Sequence, residues 1–217
     1  MIGIVVSKKI EWEEILKIYS IPENKIETYP FGEFFITNLF NKEVVFFRSH
    51  PRKALASASV QYMIDKYALS KVINIGTATA VCDYVDYLDV FIPSMTAEYD
   101  LTIRELEPLI KESSIIELPK VDVSMNYFDG LLGTSDKSLI TNKDYQIAKE
   151  TDMVASDTEG ASIAKVCVLN KVDIVIIKGI SDRPIINAGY DEQFEVFEEN
   201  APVIIKNIVE NYLPEVI

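Results

Sequence analysis

The segment Val172–Ile180 (VDIVIIKGI) limits what this chain can become more than any other. It is almost continuously apolar and rich in β-branched residues. Such a run is stable when its backbone pairs within a sheet and both faces are covered, as in a parallel strand buried between helices. Ile2–Val6 and Lys71–Gly76 (KVINIG) read the same way, and Asp89–Pro93 is a further strand candidate. Helical stretches fill the intervals: Ile10–Tyr19, with apolar Ile10, Ile15, Leu16 and Tyr19, the alanine-rich Lys53–Tyr67, Asn142–Thr151 and Glu159–Asn170. Tyr190–Tyr212 closes the chain as a long helix that Pro202 is expected to break. Glu33–Leu39 and Glu43–Ser49 read as a strand pair turning at Phe40-Asn41-Lys42, and Ser114–Leu118 and Gly130–Gly133 as shorter strands. This alternation predicts an α/β chain, a three-layer αβα sandwich around a central twisted sheet that the early hairpin makes mixed. Residues 1–217 contain no linker or repeat and are expected to form one domain.

Charge and composition exclude several classes of function. A formal net charge of −13 opposes binding to a nucleic-acid backbone or an anionic membrane surface. It does not oppose a neutral or cationic small molecule. Cys82 and Cys167 lack CxxC spacing and are expected to be free thiols in a reducing compartment. One histidine and two dispersed cysteines do not make a zinc cage, and no organic cofactor is implied. Met1-Ile2-Gly3 runs directly into a strand-like segment, and no apolar run has bilayer-spanning length, so a cytoplasmic protein is expected.

Ligands of open α/β sheets sit beyond the carboxyl ends of the strands. Polar residues collect at four such places. After the first strand comes Lys9-Ile10-Glu11-Trp12-Glu13-Glu14. Glu13 and Glu14 read as a solvated first helical turn, whereas Glu11, nearest the strand end, has the option of pointing inward. Asn74-Ile75-Gly76-Thr77-Ala78-Thr79-Ala80 is either a tight strand-to-helix turn or a place where small residues let backbone N–H groups approach a ligand. It lacks the spacing of a nucleotide-phosphate loop. In Ala155-Ser156-Asp157-Thr158-Glu159-Gly160-Ala161, helix capping accounts for Asp157 or Thr158. It accounts less well for Glu159, a carboxylate suited to paired hydroxyls. Gly179-Ile180-Ser181-Asp182 ends the most apolar strand. Asp182 reads equally as a turn residue or as an acid whose protonated form burial favours, with Ser181 as its hydrogen-bonding neighbour.

KGISD (Lys178–Asp182), SDTEGASIA (Ser156–Ala164), NIGTATAV (Asn74–Val81) and IGIVVSKKIEWE (Ile2–Glu13) together resemble the purine nucleoside phosphorylase/uridine phosphorylase superfamily. The branch they resemble most is that of the methylthioadenosine/S-adenosylhomocysteine nucleosidases. The resemblance implies roles. Glu11 matches the base that deprotonates the attacking water, and Asp182 matches the acid that protonates nitrogen seven of the departing purine. Ser181 matches the partner that orients Asp182, and Glu159 the carboxylate that holds the ribose hydroxyls. Leu139 falls where the backbone contacts the base. Thr77 and Ala78 fall in the loop beside ribose and water. A homodimer is implied, and Tyr99 and Phe128 are equally candidates for its interface or for the core. Phosphorylases of the superfamily carry a cationic Gly-Asp-Pro-x-Arg loop where this chain reads Val6-Ser7-Lys8-Lys9-Ile10-Glu11, so hydrolysis is preferred over phosphorolysis.

Several positions depart from the pattern. Ser49-His50-Pro51-Arg52-Lys53 replaces a glycine-rich Ser-Gly-Ile-Gly-Lys stretch, which places Ser49 beside the ribose, adds His50 and Arg52, and keeps a phosphorylase open. Thr79-Ala80 stands for Gly-Gly, Ser138 for a stacking aromatic, Asp157 for a glutamate, and Thr158 for a methionine under the ribose. The stretch from Glu98 to Glu107 is shorter than in the family. A non-catalytic nucleoside-binding protein on the same scaffold is the third alternative.

Overall fold

The computed structural model describes residues 1–100, 115–139, 142–184 and 190–217. Its strands are β1 (Ile2–Val6), β2 (Glu27–Tyr29), β3 (Gly32–Leu39), β4 (Lys42–Arg48), β5 (Lys71–Ala80), β6 (Val90–Phe91), β7 (Met95–Glu98), β8 (Ile115–Glu117), β9 (Leu131–Thr134), β10 (Ala155–Asp157) and β11 (Asp173–Asp182). The helices include α1 (Lys9–Ile18), α2 (Lys53–Tyr67), α3 (Asn142–Lys149), α4 (Gly160–Asn170) and α5 (Tyr190–Asn207), which runs into a π-turn at Ile208–Tyr212 and a short α6 (Leu213–Val216).

All the strands join one mixed sheet, and β5 is its hub. The first half of β5 pairs in parallel with β1, its last residues pair antiparallel with β10, and β11 pairs in parallel along its other edge. β1 continues to β4 in parallel, and β4 to β3 antiparallel through a turn in which Phe40 and Asn41 both take positive φ. That left-handed pair is the two-residue hairpin geometry that matches strand twist.

Side chains alternate across the central strands, which is what makes three layers. Val5, Val45, Phe47, Val72, Ile174 and Ile176 enter the core on one face, where α2 packs against α4. Ile4, Val6, Phe46, Ile73, Val175 and Ile177 enter the core on the other, where α1 packs against α5. The predicted αβα sandwich with a mixed sheet is therefore the fold. Gly179 lets α5 sit directly on β11, since a Cβ there would lie 2.3 Å from Ile204 Cγ2.

Three expectations need correcting. β5 and β11 each run past their predicted ends, through Ala80 and Asp182, because they pair with each other along their length. Ala155–Asp157, to which no strand was assigned, is a buried strand between β5 and β9. Pro202 does not break α5, whose buried Ile204 and Ile205 dock on the sheet and carry the helix to Asn207. Of the two aromatics open to an interface or a core role, Phe128 packs on the main core, and half-buried Tyr99 hydrogen-bonds Ser156. Residues 101–107 of the Glu98–Glu107 stretch lie outside the described residues. Cys82 and Cys167 are both free thiols, and burial pushes the Cys167 thiol up to about 12. No described helix is long and apolar enough to cross a membrane.

Candidate active site

β4, β1, β5 and β11 lie side by side and parallel, so their carboxyl ends open onto one edge of the sheet. A cavity of about 570 Å³ occupies that edge, within the usual range for a small-molecule site. Its wall includes Lys8, Ala78, Thr79, Leu139, Thr158 and Asp182.

Glu11 is in the first turn of α1 and only 1% exposed. Its two oxygens do different things. Oε2 turns back and accepts the Lys8 N–H at 3.0 Å, as an early helical glutamate does when it caps its own helix. Oε1 crosses to β5 and accepts both the N–H and the Oγ1 hydroxyl of Thr77, each at 2.9 Å. Lys8 Nζ donates to the same Thr77 hydroxyl at 2.7 Å and lies 4.5 Å from the centre of the Phe197 ring. This crossing depends on Gly76, where a Cβ would lie 3.1 Å from Glu11 Oε1 and where φ is +157°. Gly76→Ala is expected to displace the Glu11 carboxylate from Thr77 and to cost about 1–3 kcal/mol, the scale of a buried hydrogen bond left unmade, which a thermal melt reads as a lower midpoint.

A second cluster is built around Lys178, which is fully buried in β11. An ammonium in an apolar strand requires compensating charge. Its Nζ sits 3.0 Å from Asp157 Oδ2 and 3.7 Å from Glu159 Oε1. Asp157 is held further by the Thr134 hydroxyl at 2.6 Å and by the Gly160 N–H at 3.0 Å, so it caps α4. Glu159 takes the Thr158 hydroxyl at 2.5 Å. One cation thus faces two carboxylates. Burial, opposed by Lys178 and reinforced by Asp157, raises the Glu159 pKa above its ordinary 4.5, and the paired carboxylates raise that of Lys178 against its own desolvation.

The raised Glu159 pKa fixes a sign. Above about pH 4.5 the unfolded chain releases this proton while the folded protein retains it, so this group's contribution to stability falls as pH rises towards its folded pKa. Glu159→Gln is expected to flatten that part of the curve of thermal midpoint against pH.

Asp182 closes the site from β11. Its Oδ1 accepts the Ser181 hydroxyl at 2.5 Å, and its Oδ2 accepts Thr79 Oγ1 at 2.9 Å and Gln193 Nε2 at 2.6 Å. Gln193, from α5, also donates to the Leu139 carbonyl at 3.0 Å. Sequence reasoning missed Gln193 and gave Lys178 no role. Nothing in the sequence flags the glutamine, but a single lysine inside VDIVIIKGI is itself a sign of a buried pair.

Asp182, Ala78, Leu139 and Thr158 face the cavity directly. Glu11, Thr77, Glu159 and Ser181 are buried immediately behind its wall, joined to it through Lys8, Thr158 and Asp182. Ser49 does not reach the wall: its N–H continues the sheet to the Val6 carbonyl, and its hydroxyl meets Ser7. His50, Arg52 and Ser138 do line the cavity. Among the described residues, no group of three or more His, Cys, Asp or Glu side chains could hold a metal ion.

A family model described as the phosphorylase superfamily matches residues 2–213. The 5'-methylthioadenosine/S-adenosylhomocysteine nucleosidase of Buchnera aphidicola subsp. Acyrthosiphon pisum is 26% identical over 98% of both chains. Futalosine hydrolase of Helicobacter pylori superposes with a TM-score of 0.82, at 19% identity over 99% of this chain and 96% of that one. The 5'-methylthioadenosine/S-adenosylhomocysteine nucleosidase of S. pneumoniae, solved with a transition-state inhibitor, gives 0.81 at 19% identity over 100% and 99%. At such identities the superpositions speak for the fold.

Proposed function

The chain belongs to the phosphorylase superfamily, and on that premise we propose that it hydrolyses the N-glycosidic bond of a purine nucleoside of the methylthioadenosine or S-adenosylhomocysteine type, releasing free base and sugar. The observation that carries this reading is the pairing on β5. Thr77 holds Glu11, and Thr79, two residues on and therefore on the same face, holds Asp182. The two threonines are about 7 Å apart along the strand. In inverting glycosidases the acid and the base are held apart, which leaves room for a water between the base and the sugar.

In this reading Asp182 protonates the departing purine, which leaves poorly as an anion, and Ser181 and Gln193 fix the orientation of its carboxyl group. Glu11 takes the proton of the attacking water, and Lys8 must move aside for that water to reach it. Ala78, with Thr77 behind it, borders the ribose and water position, and Glu159 beside Thr158 accepts the ribose hydroxyls. The Leu139 backbone contacts the base. As the sugar becomes oxocarbenium-like, the buried carboxylates stabilise the developing positive charge. The site is read as cytoplasmic, in keeping with two free thiols, and as belonging to a homodimer, whose mass in light scattering would be twice that of one chain.

The test is a panel of purine nucleosides assayed for free base in phosphate-free buffer. Base release without phosphate is expected. Strict dependence on phosphate would make the protein a phosphorylase, which Lys8, Arg48 and Arg52 on the cavity wall favour. Binding without turnover in either buffer would leave only a nucleoside-binding protein.

A further inference from the structure

We propose that Thr158 decides which sugars the site accepts: its hydroxyl stands in on Glu159 for a ribose hydroxyl, so the site takes 2'-deoxyribonucleosides as well as ribonucleosides. This rests on the hydrolase reading above and specifies its sugar.

The first observation is position. Glu159 is 2% exposed and stands behind the cavity wall, whereas half-buried Thr158 is part of that wall. A sugar in the cavity therefore meets the threonine before the carboxylate. Lys178 interacts electrostatically with both Glu159 and Glu11, so Glu159 lies beside the water end of the sugar. The hydroxyl next to the attacked carbon is the one at 2'.

The second observation is that both carboxylate oxygens of Glu159 are already engaged. Oε2 accepts the Thr158 hydroxyl at 2.5 Å. Oε1 faces inward, 3.7 Å from the ammonium of fully buried Lys178. Asp157 cannot take over, because Thr134, Gly160 and Lys178 hold its oxygens. A hydroxyl has one proton to donate, and Thr158 gives it to Glu159. What remains for the cavity is the lone pairs of Thr158 Oγ1. A sugar hydroxyl can donate to them, and Glu159 then acts on the sugar through the threonine. The sugar can also push Thr158 aside and donate to Oε2 itself, but that exchanges one hydroxyl–carboxylate bond for another.

The energetic consequence is the same by either route. Strong rejection of an analogue that lacks a hydroxyl comes from the buried polar group it leaves unpaired. Here a deoxyribose leaves Glu159 with the partner it has in the empty protein. The loss is confined to one neutral hydrogen bond at Thr158, worth about 2–10-fold. The sequence resemblance expects a methionine at this position, a side chain with no proton to donate. Beside a methionine the carboxylate would depend on the substrate for its partner, and the missing hydroxyl would be costly.

The experiment measures kcat/KM for 5'-methylthioadenosine and its 2'-deoxy analogue in phosphate-free buffer, with the parent protein, Thr158→Val and Thr158→Ser. The parent is expected to favour the ribose compound by no more than about tenfold. Thr158→Val keeps the shape and removes the proton, so the ribose-to-deoxyribose ratio should rise about tenfold or more, the scale of a hydrogen bond to a charged group. Thr158→Ser keeps the hydroxyl and should keep the parent ratio. Comparing ratios between proteins cancels both the different intrinsic lability of the two glycosidic bonds and any loss of folded protein. A larger parent preference, or a ratio unchanged in Thr158→Val, would overturn the role of Thr158 while leaving hydrolysis standing. If base release requires phosphate, the same ratios measured with phosphate decide. If neither compound releases base, titration calorimetry with the same pair decides. Affinities that lie within tenfold in the parent and separate in Thr158→Val uphold the proposal although the hydrolase reading has failed, and any other result overturns it.

Discussion

Asp182→Asn is expected to cut the rate of base release by about 10²–10⁴-fold, the usual contribution of a positioned general acid. The variant removes the proposed proton donor and nearly preserves shape. Its three neighbours limit the structural damage. Gln193 Nε2 can only donate and so holds the asparagine oxygen on its side, where Thr79 also donates, while the Ser181 hydroxyl can rotate to accept from the new amide nitrogen. A stability change of about 1 kcal/mol is the scale of one rearranged hydrogen bond. Single-turnover base release should therefore collapse while the thermal midpoint moves little. Activity within a few-fold of the parent would remove Asp182 from the role of acid. Gln193→Leu should lower activity less, because it loosens the carboxyl group without removing it.

Lys178→Met is expected to be the most destabilising single change at the site. It leaves Asp157 and Glu159 buried side by side with no cation, and breaking a buried ion pair by removing one partner costs about 3–5 kcal/mol. Against a total stability of about 5–15 kcal/mol, that loss approaches unfolding. The damage should depend on pH. Protonating Glu159, whose pKa burial already raises, relieves the repulsion, so the variant should lose less relative to the parent in mild acid than at neutral pH. Denaturant midpoints across that range read the difference. Lys178→Arg keeps a cation and should retain most of the stability. If Lys178→Met melts like the parent at neutral pH, the pair around Asp157 and Glu159 is not what compensates the buried charge.

Local chemistry made much of this molecule readable. The apolar, β-branched run of β11 and the matching runs of β1 and β5 have one stable setting, a sheet covered on both faces, and that alone dictated the layers. The acidic residues at strand ends were visible because a polar group directly after a buried strand has few places to go, and Glu11, Glu159 and Asp182 do fold around one hollow, the first two just behind its wall.

What tertiary structure alone decided is who faces whom. That Thr77 and Thr79 serve Glu11 and Asp182 follows from the register of β5 against β11 and from the docking of α1, and both are set by pairing between residues far apart in the chain. Gln193 reaches Asp182 only because α5 packs across β11 at Gly179. Pro202 fails to break that helix for the same reason: local preference for a break is worth a few kcal/mol, and burial of Ile204, Ile205 and Ile208 outweighs it. Alternation and apolarity are properties of neighbouring residues and can be read along a chain. Partnership is a property of the closed fold, in which the free energy of each contact depends on every element that brings its two halves together.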